Sequence, residues 1–199
     1  MKSRVFLMMF LFVLFSACAQ TDTNVNAEYA NVFKSLDGRW EGTFYVYNDP
    51  DGQIENGRPD VPLTLALLES KNLEIINELE VVHIYESENE YYQNGLIIDT
   101  YLDGNGEQVT VESTAVNKVE NGELFCIVNK PDEQVVHLGY IDNENFIVWH
   151  RALENPTKVE FFREKAEGDL YTIVGYGYYG NDDPSLQPKT WFYGAYERK

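Results

Sequence analysis

Gly38-Arg39-Trp40-Glu41-Gly42-Thr43-Phe44-Tyr45-Val46-Tyr47 is where the chain changes its period. Before it, Tyr29, Val32, Phe33 and Leu36 recur at i, i+3, i+4 and i+7, which predicts a short helix over 27–36 that Asp37-Gly38 stops. After it, short runs rich in aromatic and β-branched residues alternate with turn residues, the pattern of strands. The runs cover 40–47, 79–85, 94–101, 108–116, 124–129, 134–141, 146–152, 159–164, 170–178 and 191–198. Residues 63–68 are wholly apolar and fit a buried strand or a helical turn equally well. Asn121-Gly122, Asn143-Glu144 and Glu167-Gly168 carry hairpin chemistry, because Asn and Gly tolerate the positive φ of a two-residue turn. Consecutive hairpins without helical crossovers imply an antiparallel meander. The expectation is an all-β, up-and-down antiparallel barrel of about 8–10 strands with a short N-terminal helix, since closure removes the exposed edges.

The N-terminus predicts export. Lys2 and Arg4 precede an uninterrupted apolar run over 5–15, too short for a membrane span of about 20 residues but suited to a signal peptide. Phe15-Ser16-Ala17-Cys18 resembles a bacterial lipobox, whose cysteine is diacylated and becomes the new N-terminus. On that reading residues 1–17 are the signal peptide, 18–27 are lipidated Cys18 with a polar tether, and 28–199 form the barrel domain. The protein then belongs to the bacterial cell envelope and meets the membrane through its lipid anchor only. Ala17-Cys18-Ala19 also fits an ordinary cleavage site, which would release a soluble periplasmic or secreted protein.

The chain carries 15 basic and 33 acidic residues, a net charge of −18, and loss of Lys2 and Arg4 with the leader widens this to about −20. Such a surface repels phosphate backbones and excludes nucleic acid as a partner. With Cys18 acylated or removed, Cys126 stands alone, so the domain must be held by its core rather than by a disulfide. Between Phe125 and Ile127, Cys126 reads as a small buried apolar side chain.

The short helix, the Gly38-x-Trp40 opening, the meander and a closing strand ending in Arg198 together resemble the calycin group: lipocalins, fatty-acid-binding proteins and their bacterial relatives. The resemblance implies that Trp40 lies across the closed end of the barrel with Arg198 over its ring and Gly38 beside it. It also implies a small hydrophobic or amphipathic ligand held inside. Two subfamilies of the group carry features that bear on this chain. Tyr196 matches the tyrosine of the Arg-x-Tyr pair that holds fatty-acid carboxylates, but Gly194 stands where the arginine would be. Gly38, Trp40 and Gly42 match the opening of nitrobindin-type haem barrels, yet the last histidine, His150, lies far from the C-terminal position of their iron ligand.

Several residues are candidates for a site. A turn at Asn143-Glu144 places His137 directly opposite His150, close enough to act as acid and base, and His83 is a possible third member. Arg163, among Val159 and Phe161, is placed to hold a ligand anion or to pair with an acidic neighbour. Tyr176 is one of a dense set of aromatics over 171–196 that would line a cavity or supply core. Asp103-Gly104-Asn105-Gly106-Glu107 resembles the start of a calcium loop but lacks its later ligands, so no metal is expected. No phosphate-binding loop, dinucleotide fingerprint or nucleophile elbow appears, and no cofactor is implied. Three functions follow: a lipid-anchored binder of a small apolar or amphipathic molecule; an isomerase, lyase or hydrolase using His137, His150 and Arg163; or a structural interaction lipoprotein with a filled barrel.

Overall fold

A computed structural model describes residues 25–54, 57–59, 63–154 and 157–199. The segment expected to be a signal peptide, Cys18 and the expected tether as far as residue 24 lie outside the described residues. Ten strands close into one antiparallel barrel: β1 Gly38–Asn48, β2 Glu74–Asn89, β3 Tyr92–Leu102, β4 Gln108–Glu120, β5 Glu123–Asn129, β6 Gln134–Ile141, β7 Ile147–Glu154, β8 Thr157–Glu167, β9 Leu170–Gly180 and β10 Thr190–Arg198. Each strand pairs with its sequence neighbours, and β1 closes the ring by pairing with both β2 and β10. Such closure leaves every strand with two neighbours, which satisfies backbone groups that an open edge would expose.

The helix expected over 27–36 is instead two 3-10 turns, Ala27–Tyr29 and Lys34–Leu36. Asn31 between them has φ of 62° and gives its amide to Glu90 O at 2.8 Å, so the helical ladder is interrupted. A ten-residue helix is marginal by itself, and one tertiary bond suffices to divide it. Phe33 and Leu36 are nevertheless fully buried at the barrel end. Residues 63–68 resolve as a helical turn, α1 Leu65–Glu69, whose first turn is capped by Thr64 Oγ1 accepting from Leu67 N at 3.2 Å.

The N-terminal turns seal one end. Trp40 is completely buried there and donates from Nε1 to Leu36 O at 2.7 Å, while the Arg198 guanidinium lies 4.0 Å from the centre of the Trp40 ring. Arg198 also donates to Asp37 O at 2.5 Å, and this contact and the cation–π contact, which contributes about 0.5–2 kcal/mol, hold the last strand to the first. Gly38 has φ of 121°, and a Cβ there would lie 2.6 Å from Arg198 Nη1. At Gly42 a Cβ would lie 2.0 Å from Ala195 O, so β1 and β10 reach their spacing only around a glycine. The other end stays open: β2 pairs with β1 from Glu74 onward but with β3 only from Glu80, which leaves Ile75, Ile76 and Leu102 exposed on the rim.

Outside the barrel, the segment between β1 and β2 lies over the outer face of β8–β10. Leu63 and Leu68 pack there with Tyr176, Tyr178 and Trp191 in a second apolar cluster. A buried ion pair between Asp49 and Lys71, 2.9 Å, fastens the segment, with the Lys71 ammonium 4.7 Å from the Trp191 ring centre.

Candidate functional site

Alternation along each strand sends one set of side chains inward, and these enclose a cavity of about 290 Å³ above the sealed end. Phe44, Leu79, Val81, Ile97, Val128, Val135, Phe162 and Ile173 form its apolar wall. Two larger clefts, of about 530 and 540 Å³, are surface features. One lies beside the N-terminal turns around Glu28, Ser35 and Asn145, the other on the rim around Ile75, Ile76 and Leu102, and those residues are mostly exposed. Of these three, among the described residues, the cavity inside the barrel is the one with an apolar wall and buried polar groups, so it is the candidate site.

Two polar groups divide the interior. Toward the mouth, Glu160 accepts from the Arg151 Nε, from Tyr179 Oη at 2.7 Å, and lies 3.1 Å from His137 Nε2. Burial alone would raise the Glu160 carboxyl, but these hydrogen bonds with His137, Arg151 and Tyr179, and the Arg151 charge, hold it down at about 2. Arg151 is therefore committed to Glu160 and, at 3.3 Å, to Glu133, which also takes Lys158 at 2.6 Å. Deeper, Glu164 accepts from Tyr171 Oη at 2.5 Å and Trp149 Nε1 at 2.7 Å, and its burial raises the carboxyl above its ordinary value. Burial pulls His83 down to about 3, so its imidazole is neutral at physiological pH. Its Nδ1 sits 3.1 Å from Tyr85 Oη, and its ring meets the Tyr196 ring edge-on at 4.7 Å between centres.

Three atoms on the β2–β4 wall, His83 Nε2, Ser113 Oγ and Asn117 Oδ1, are buried without a hydrogen-bond partner among the described residues. All three side chains line the cavity. Buried polar atoms in native proteins find partners, and each orphan costs about 1–3 kcal/mol.

The structure separates the residues that the sequence brought together. The β6–β7 connection runs over 142–146, with Asn145 at φ of 61°, and Ile141 pairs with Ile147. His150 therefore faces Leu138 rather than His137, and that slip of one residue puts His137 inside and His150 outside, where it stacks on Phe161. The His137/His150 acid–base pair does not exist. Arg163 also points outward: it donates to Asp142 Oδ2 at 2.7 Å, Glu144 Oε2 at 2.8 Å and Leu63 O at 3.1 Å, and covers the Phe146 ring at 3.4 Å. Its ligand-anion role is corrected to a fastener between the β6–β7 turn and the segment over β8, because its donors are spent on fixed acceptors. Tyr176 is likewise outside, stacked on Phe161 at 5.5 Å and packed on Trp191, and does not line the cavity. Of the proposed ligand contacts only His137 lines the cavity.

Cys126 lines it too; burial, then the Glu164 charge, pushes its thiol up, so it is protonated and inert as a nucleophile. Glu160, Arg151, Glu164, Ser113 and Asn117 went unnoticed in the sequence. In strands such residues read as solvent-facing, and only the register set from a well-defined turn such as Asn121-Gly122 could have turned them inward. Among the described residues no group of three metal-ligating side chains comes together.

The molecule is a closed, antiparallel ten-stranded β-barrel with an internal cavity, an architecture compatible with the calycin group. No protein-family model matches the sequence, and no curated protein does.

Proposed function

We propose that the protein binds a small apolar or amphipathic molecule inside the barrel and is held to a bacterial envelope membrane by a lipid on Cys18. The observation that carries the binding reading is the cavity inside the barrel, with apolar walls and three orphaned polar atoms on side chains that line it. A barrel serving only as a scaffold would fill this space with side chains. The enzyme alternative loses its assembly, since His150 and Arg163 lie on the outer surface.

The anchor is supported by the leader and its Cys18, and the described chain begins at the sealed end. There Asn26 Oδ1 accepts from Gly122 N at 2.8 Å, and Asn31 N donates to Glu90 O. A lipid on Cys18 would thus turn the sealed end to the membrane and leave the mouth facing away. Ligand would then enter from the aqueous side.

Uptake of the neutral fluorophore N-phenyl-1-naphthylamine tests the binding. Fluorescence should rise on mixing with the purified protein and be blocked in Ile97→Trp, which fills the cavity. A folded protein that takes up no probe and yields no solvent-extractable ligand would sink the reading. Intact-mass measurement of the membrane fraction, with Cys18→Ser as control, tests the anchor separately.

A further inference from the structure

The polar groups of the cavity are unevenly distributed. Ile97 of β3 stands opposite His83 of β2 on one side and opposite Ser113 of β4 on the other, so these two side chains share one level of the barrel. Asn117 lies four residues further along β4 toward the sealed end, its Nδ2 spent on Gln93 Oε1 at 2.9 Å while Oδ1 stays unmatched. The cations that line the cavity, Lys130 and Arg151, come from the mouth ends of β5 and β7, and Arg151 is already bound to Glu160 and Glu133. No cation accompanies the deep group, and the carboxyls that line the cavity with it are Asp99, on the same wall two residues from Ile97, and Glu164.

We propose that the ligand carries an uncharged hydrogen-bonding head, such as a hydroxyl or amide, seated deepest against His83, Ser113 and Asn117, with its apolar part lying toward the mouth. The inference rests on the barrel-binding reading above. Its chemistry is set by what the deep level offers. Asn117 Oδ1 only accepts, the Ser113 hydroxyl both donates and accepts, and His83 Nε2 does one or the other according to its tautomer. An uncharged donor–acceptor head satisfies orphaned atoms at little desolvation cost. A carboxylate seated there would leave water with no cation to receive it and would meet Glu164, so burial disfavours it strongly. The apolar wall of Phe44, Leu79 and Phe162 then receives the tail, Phe44 and Leu79 standing opposite each other four residues nearer the mouth than Trp40 and His83.

Octanol, octanoate and octylammonium share one tail and differ in the head, and their affinities by calorimetry at neutral pH separate the possibilities. Octanol should bind at least about tenfold more tightly than either ion, and Ser113→Ala and His83→Phe should each weaken octanol about fivefold or more, as loss of a hydrogen bond to a buried group does. Lys130→Gln should leave octanol binding unchanged. Octanoate binding as well as octanol would overturn the proposal in favour of a head held at the mouth by Lys130. Octanol binding that ignores both variants would overturn it in favour of water at the deep atoms. Binding by none of the three would instead count against the barrel-binding reading itself. Should His83→Phe fail to fold, magnetisation transfer in the wild-type complex gives the same answer: the C1 methylene of octanol should lie next to His83 and its terminal methyl next to Leu79, four residues nearer the mouth on β2. The reverse order would overturn the proposal.

Discussion

On β8 the inward side chains include Glu160 and Glu164, whereas the outward ones are Val159, Phe161 and Arg163. On β9 the inner face holds Gly175 and Gly177 beside the wall residues Tyr171 and Ile173, while Val174, Tyr176 and Tyr178 lie outside under Leu63 and Leu68. A face becomes apolar because something covers it, and here the covering segment is outside the barrel. The inner face of β8 bears Glu160 and Glu164 because both find hydrogen-bond donors on nearby strands: His137, Arg151 and Tyr179 for the first, Trp149 and Tyr171 for the second. The barrel thus has two cores, one of which encloses a site and one of which has only packing to do.

Removing a large aromatic from either core sharpens the comparison most. Trp40→Ala at the sealed end and Trp191→Ala on the outer face should each cost about 3–5 kcal/mol in urea unfolding. Neither should change probe affinity in the protein that remains folded; a selective loss of binding in Trp191→Ala would make the outer face part of the site. Glu160→Gln comes next. The native carboxyl titrates near 2 against an ordinary value of 4.5, so its contribution is complete above pH 4.5 and is lost as pH falls toward 2. The variant should therefore be about 2–3 kcal/mol less stable at neutral pH and should lose less between pH 4.5 and 2 than the wild type. Equal acid sensitivity of the two proteins would break the assignment.

Arg163→Met, on the outer face, should cost about 1–2 kcal/mol, less than a fully buried pair because Glu144 stays half solvated. Ligand affinity should be unaffected. The smallest effect belongs to His150→Ala, within about 0.5 kcal/mol and with an unchanged pH profile of binding. A large effect on binding would place His150 back in the site.

The contrast between turns explains what was legible. At Asn121-Gly122 both residues adopt positive φ and Glu120 pairs with Glu123, a hairpin the two residue types announce by themselves. Asp142-Asn143-Glu144-Asn145 offers two asparagines, and the left-handed position falls on Asn145 because Asp142 Oδ1 accepts from the amides of Glu144 and Phe146. A turn at Asn143-Glu144 puts His137 and His150 on one face; the observed pairing, one residue away, puts them on opposite faces. The β8–β9 turn, at Gly168-Asp169 rather than Glu167-Gly168, moved the partner of Arg163 from Thr172 to Val174, a change of two that preserves the face. The outward position of Arg163 was therefore a separate matter, decided by the cover laid over β8.

Turn residues and β-rich runs determined the number of strands and their antiparallel order, because those are local preferences of backbone and side chain. Composition likewise determined the acidic surface. Only the tertiary structure decided which face of each strand is inside and which polar atoms are left without partners around the cavity. Those depend on single-residue registers and on a segment brought from between β1 and β2 to the outside of β8–β10, and neither leaves a local mark in the sequence.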